Sequence, residues 1–172
     1  MRVGLCSRST SRLLTPVRAL LAVGEIRQAT ALLGRYPSLA GQVTTGAHRG
    51  RRLGYPTANL SVMAERIIPA DGIYACFARV NEQRYPAAAS IGVRPSFSET
   101  ERTVEAHLLD FSGDLYGLDL KLEFVEWLRP EKRFETLDAL VTQIRADAER
   151  AALLLAQEAP TPTLSRENGG GS

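Results

Sequence analysis

Asp119-Leu120-Lys121-Leu122-Glu123-Phe124-Val125-Glu126-Trp127-Leu128 is the stretch whose reading decides the fold. Leu120, Leu122 and Phe124 alternate with Lys121 and Glu123, the period of two that turns one strand face to a core and the other to water. Upstream the same texture recurs. Leu39 to Thr45, Thr57 to Val62, Ile73 to Val80, Arg84 to Ile91 and Thr103 to Phe111 are short β-forming runs divided by Gly and Pro. Asn81-Glu82-Gln83 is a polar turn that predicts a hairpin into Arg84. Met63 to Asp71 reads as a connection closed by Pro69 and Asp71-Gly72, and Gly92 to Glu101 as a loop around Arg94-Pro95-Ser96-Phe97. Downstream, Thr136 predicts a cap for a helix to about Gln157. Leu137, Leu140, Val141, Ile144, Ala148, Ala151 and Leu155 recur there at helical spacing. Six short strands followed by one long helix predict a mainly β fold: a small closed antiparallel barrel with the helix packed outside. Closure matters because it leaves no strand edge exposed.

The ends read differently. Residues 1 to 12 look irregular, and Thr15-Pro16 reads as an N-cap with proline at the first helical position. Gly24 breaks that helix; Glu25 starts a second, for which Gly34 is the C-cap. Residues 1 to 36 carry six arginines against one acid, Glu25. An Arg-rich, acid-poor N-terminus is also the pattern of a mitochondrial transit peptide, which stays open as the alternative. The tail from Pro160 has the composition of a disordered segment. The expected organisation is a helical extension over 1–37, the barrel over 38–158 and a tail over 159–172.

Composition narrows the function classes. With 44% apolar residues the chain can fill a core, and a net charge of +2 does not by itself argue for nucleic acid. Cys6 and Cys76 have no metal or redox spacing, so reduced thiols in a cytoplasmic protein are expected. No apolar run approaches a membrane span.

Chemistry concentrates at Gly46-Ala47-His48-Arg49-Gly50-Arg51-Arg52-Leu53-Gly54-Tyr55-Pro56-Thr57-Ala58-Asn59-Leu60. Glycines let backbone N–H groups form an anion cradle, and arginines add forked donors suited to phosphate. Pro56 stiffens the exit of this loop and pushes Tyr55 toward an extended conformation. Thr57 and Asn59, two apart on a strand, then aim two neutral oxygens at one spot, a donor set fit for Mg2+ shared with a nucleotide's phosphates. The same residues also fit an ordinary surface turn. The stretch is not a Walker A loop, because neither Lys121 nor Lys132 stands in that setting. Glu105 and His107 share the outer face of their strand in Val104-Glu105-Ala106-His107-Leu108. On pattern alone that face is simply solvated.

Gly41 to Leu60 resembles the signature of riboflavin kinases, above all the C-terminal kinase module of bacterial bifunctional riboflavin kinase/FAD synthetases. Val104-Glu105-Ala106-His107-Leu108-Leu109-Asp110-Phe111 with Gly113-Asp114-Leu115-Tyr116-Gly117, and Leu128-Arg129-Pro130-Glu131-Lys132-Arg133-Phe134, resemble two further family runs. The resemblance covers Leu39 to about Gln157, and more loosely back to Ser9, where it is similar to the segment joining the two modules. Ser96 stands where the family usually has threonine, which keeps the hydroxyl. The upstream module's His-x-Gly-His motif is absent from the sequence.

The resemblance implies the six-stranded barrel and the transfer of the γ-phosphate of ATP to the 5′-hydroxyl of riboflavin. It implies ATP binding at Gly46, Arg49, Gly50, Arg51, Leu53, Gly54, Pro56 and Thr57, with Mg2+ at Thr57 and Asn59. It makes Glu105 the catalytic base and the 129–134 loop a flap over the isoalloxazine, with Arg129, Lys132 and Phe134 lining the flavin pocket. Read from the residues alone, His107 fits a second general base or, more simply, a structural or flavin-adjacent histidine, and Trp127, at its strand end, fits core or pocket wall better than a stacking residue. The expected partners are riboflavin or FMN and ATP or ADP, with no nucleic acid and no membrane, in a monomer. Two alternatives stand beside this: a fragment of a bifunctional enzyme lacking its FMN adenylyltransferase domain, and a non-enzymatic nucleic-acid-binding β-barrel. The second would be expected to carry more aromatics than the 6% present.

Overall fold

The computed structural model describes residues 8–44, 54–63, 66–95 and 100–158. Two helices, α1 (Arg8–Ala22) and α2 (Ile26–Leu33), precede six strands: β1 (Ser38–Thr44), β2 (Ala58–Ser61), β3 (Gly72–Val80), β4 (Gln83–Pro95), β5 (Thr100–Leu108) and β6 (Asp119–Arg129). Helix α3 (Leu137–Gln157) follows. The strands close into an antiparallel barrel in the order β1-β2-β5-β4-β3-β6. The six expected strands are therefore the six found, with ends shifted by a few residues.

Alternation builds the barrel interior. Leu39 and Val43, Ala58 and Leu60, Tyr74, Cys76 and Ala78, Ala87, Ala89 and Ile91, Val104, Ala106 and Leu108, and Leu120, Leu122 and Phe124 form one buried cluster. The Tyr74 and Phe124 rings meet edge to face at 5.2 Å within it. This interior is filled by side chains, as in other small barrels. Cys76 is a free, buried thiol whose pKa burial pushes up, so it behaves as a small apolar residue.

The β3–β4 hairpin turns on Asn81 and Glu82, with φ of +47° and +67°, between the paired residues Val80 and Gln83. Two left-handed residues in a row match the twist of the strands they join. In β6 the alternation holds to Phe124 and then breaks. Ala75 pairs with Glu126 and Cys76 with Phe124; Ile73 pairs with Arg129 and Tyr74 with Trp127. Val125 and Leu128 are the residues passed over. Both join a second cluster with Ala75, Phe77, Ala151 and Leu155, beneath α3. Val125 already lies on the outer face by alternation, and the bulges turn Leu128 outward beside it, where the helix covers both.

Thr136 caps α3 as expected, its hydroxyl accepting from the Ala139 N–H at 3.2 Å. Leu137, placed on the apolar face by spacing, is 66% exposed. The helix packs through its later turns, at Ala151 and Leu155, while its first turn is held by the cap.

The front of the chain corrects one expectation. Helix α1 begins at Arg8, and Pro16 lies inside it instead of at its first turn. An internal proline removes one backbone hydrogen bond. Val17 and Leu21, on the next turns, are buried against the barrel cluster and hold the helix in place. Gly34 ends α2 in the left-handed conformation, with its N–H on the Thr30 carbonyl, as its position predicts. Trp127 forms wall, not stacking platform. Its indole N–H donates to the Asp71 carbonyl, and a Cβ on Gly72 (φ +149°) would meet Nε1 at 2.2 Å. Only glycine fits there.

Candidate active site

Strand β5 supplies the ionisable face. Its inner residues Val104 and Ala106 pair with Leu60 and Ala58 of β2, while Glu105 pairs with Asn59 on the outer wall. On its other side Glu105 is in register with Ser90 of β4. The ladder with β2 stops at Ala58, yet contact continues through side chains. The Thr57 hydroxyl donates to Glu105 Oε2 at 3.3 Å, and His107 Nδ1 lies 2.9 Å from the Pro56 carbonyl oxygen. The expected nucleotide-loop exit and the expected base, 48 residues apart, therefore touch.

Thr57 and Asn59 both line a cleft of about 560 Å3, with Thr44, Pro56, Phe111 and Asp114 among its other walls. Among the described residues no three His, Cys, Asp or Glu side chains are placed to hold a metal ion together. A divalent ion here would instead lean on neutral oxygens and on a ligand's own phosphates; Mg2+ beside a nucleotide takes much of its coordination from phosphate and water. The Thr57 hydroxyl suits this role, because a hydroxyl that spends its proton on a carboxylate keeps a lone pair for a cation. Of the expected ATP-binding residues, Gly54, Pro56 and Thr57 are described. Gly46, Arg49, Gly50, Arg51 and Leu53 lie outside the described residues, as do Ser96 and the tail.

The loop between β6 and α3 bears the expected flavin residues. Arg129 is committed elsewhere: its Nε lies 2.9 Å from Oδ1 of Asp147, and its Nη2 2.5 Å from Oδ2. Gln143 also donates to Oδ1 of Asp147, at 3.0 Å. Arg129 thus fastens the loop's root to α3, and its guanidinium lies 5.9 Å from the Phe134 ring centroid. Phe134 is half-buried and Lys132 exposed.

The residue that sequence reasoning missed is Glu131. Its carboxylate lies over Gly92 of β4, where any Cβ would meet Oε2 at 2.4 Å. Burial raises its pKa above the ordinary carboxylate value, and the negative charges of Asp71 and Glu105 raise it further. Glu131 and Glu105 therefore act on one shelf of small residues, Ser90 and Gly92. Nothing local marks this, since a glycine and a glutamate 39 positions apart carry no pattern. The shift has a sign that can be measured. Above the usual value near 4.5 the folded state holds more proton on Glu131 than the unfolded state, so its contribution to stability falls as pH rises. Glu131→Gln is expected to raise Tm at pH 7, and to lose that gain below the usual value. Solvent reaches this side chain, so the gain is about 0.5 kcal/mol at most. Calorimetric scans at the two pH values check it.

The fold defines the class: a small closed antiparallel β-barrel with a side-chain-filled interior and a helix packed outside. The riboflavin kinase family model matches residues 33–155. The chain belongs to the riboflavin kinase family. It is 42% identical over 146 residues to a bifunctional riboflavin kinase/FMN adenylyltransferase of Pseudomonas fluorescens, covering 84% of this chain and 47% of that protein. It thus spans about half the length of that relative. Among solved structures, a riboflavin kinase from Trypanosoma brucei superposes with a TM-score of 0.53 at 25% identity, covering 74% of this chain and 89% of that one. A Streptococcus pneumoniae chain described as a macrolide-efflux protein superposes with a TM-score of 0.77 at 35% identity, covering 80% of this chain and 45% of that one. Among the described residues of this chain, no helix is long and apolar enough to cross a membrane.

Proposed function

We propose that this chain is an ATP:riboflavin 5′-phosphotransferase acting as a monomer in the cytoplasm. The observation that carries the reading is the contact between the Thr57 hydroxyl and the Glu105 carboxylate. It joins a hydroxyl able to ligate a cation and a carboxylate able to take a proton, the two groups that in-line phosphoryl transfer needs side by side. Asn59, paired with Glu105, completes the donor set. The glycine- and arginine-rich residues before Thr57 supply the phosphate contacts.

Glu105 takes the proton of the ribityl 5′-hydroxyl as that oxygen attacks the γ-phosphorus. The new O–P bond forms, the bridging O–P bond breaks, and ADP leaves with its electron pair. Mg2+, when bound, offsets the charge on the phosphate oxygens. Thr57 and Asn59 orient the phosphates, and the 129–134 loop with Lys132 and Phe134 closes over the flavin and excludes water. Arg129 serves this pocket by anchoring the loop.

Incubation with riboflavin and Mg-ATP, followed by chromatography, is expected to give FMN and ADP in equal amounts. No FMN would overturn the assignment. With FMN and ATP, no FAD is expected from these residues. Thr57→Ala is expected to weaken Mg-ADP binding about 10- to 100-fold, as loss of a charge-assisted contact does. Unchanged calorimetric affinity would take the cation from Thr57.

A further inference from the structure

We infer that His107 is a positioning residue for the cation and nucleotide, acting through the Pro56–Thr57 peptide; the inference rests on the proposed phosphotransfer. The β2–β5 ladder ends at the pair Ala58 and Ala106. Thr57, the residue that must present its hydroxyl, therefore lies one step beyond the last backbone pairing. Its side chain is held by Glu105 and the carbonyl before it by His107. A carbonyl only accepts, so the imidazole carries hydrogen on Nδ1 and donates it to Pro56. That bond fixes the peptide plane whose far end is the Thr57 N–H and Cα.

The imidazole is itself held. The Tyr55 ring meets it edge to face at 5.4 Å, with a 73° angle between planes. Arg145 of α3 places its Nε 3.4 Å from the Tyr55 hydroxyl. A chain of contacts thus runs from α3 through Tyr55 and His107 to the exit of the glycine-rich stretch. The proline ring fixes φ of Pro56, so the tilt of the Pro56–Thr57 peptide turns on ψ of Pro56, and the contact with the carbonyl oxygen bears directly on it. The two outward residues of β5 divide the work: Glu105 faces the reacting hydroxyl, and His107 keeps the cation's ligand in reach of it.

His107→Ala is expected to weaken Mg-ADP binding and to raise KM for Mg-ATP roughly five- to tenfold, the share of one neutral hydrogen bond. KM for riboflavin and kcat should change less than twofold. His107→Asn, whose amide N–H reaches the place of Nδ1–H, is expected to restore the affinity; His107→Gln, whose amide lies further out, is not. A folded Ala variant with wild-type Mg-ADP affinity, or equal behaviour of Asn and Gln, would overturn the inference. A lowered Tm with unchanged affinity would overturn it as well, because it would leave His107 with a purely structural part. Calorimetry with Mg-ADP separates the two claims. If the wild type makes FMN and the Ala variant keeps its KM for Mg-ATP, positioning fails and phosphotransfer stands. If the wild type binds Mg-ADP but makes no FMN, phosphotransfer fails and the variants still decide on His107. A wild type that does not bind Mg-ADP would sink both.

Discussion

Glu105→Gln is expected to lower FMN formation by about 10²- to 10⁴-fold, the share that a positioned general base contributes. The swap keeps size and shape, and its amide oxygen can still accept from Thr57. The pairing of residue 105 with Asn59 and Ser90 is made by backbone and persists. What is lost is the capacity to take a proton from an alcohol. Mg-ADP affinity and Tm should therefore stay near wild type while kcat collapses. Removing the charge at 105 also removes one cause of the raised pKa of Glu131, so that carboxyl should titrate nearer its ordinary value. Near-normal turnover would strip Glu105 of its role and leave catalysis to phosphate orientation alone.

Asp147→Ala is expected to cost about 3 kcal/mol of stability, or roughly 10 °C in Tm. Asp147 is the buried charged residue among those described, at 7% exposure. Its carboxylate meets Arg129 through two nitrogens and Gln143 through a third. Removing it leaves a guanidinium, itself with only 15% of its side chain exposed, without its counter-ion. The pair joins the end of β6 to the middle of α3, so the loop between them, with Glu131, Lys132 and Phe134, loses its anchor. A rise in KM for riboflavin should accompany the loss of stability, with KM for ATP little changed. A thermal scan with unchanged Tm would show the pair to be ornamental.

What could be read from the residues follows physical range. The split of Val104, Ala106 and Leu108 from Glu105 and His107 is local, and the outer pair meets Thr57 and Pro56 as side-chain partners on the face that alternation predicts. Thr57 and Asn59 on one face is likewise local. The meeting of Thr57 with Glu105 was legible only through family likeness, because register between strands 48 residues apart leaves no periodic trace. The β6 pattern fails at Val125 and Leu128 because helix α3 makes the outer wall apolar too, and a strand buried on both faces loses its alternation. Pro16 misleads because proline opens helices far more often than it sits inside them. Glu131 over Gly92 and Arg145 on Tyr55 join side chains that meet only once the barrel has closed.

The Tyr36 hydroxyl donates to Glu158 at 2.6 Å, and Arg27 lies 3.9 Å from the same carboxylate. The chain's entry into the barrel and its exit from α3 are thereby clasped together. A unit clasped this way behaves as a cassette: further polypeptide can hang from either side of the clasp without pulling on Thr57 or Glu105.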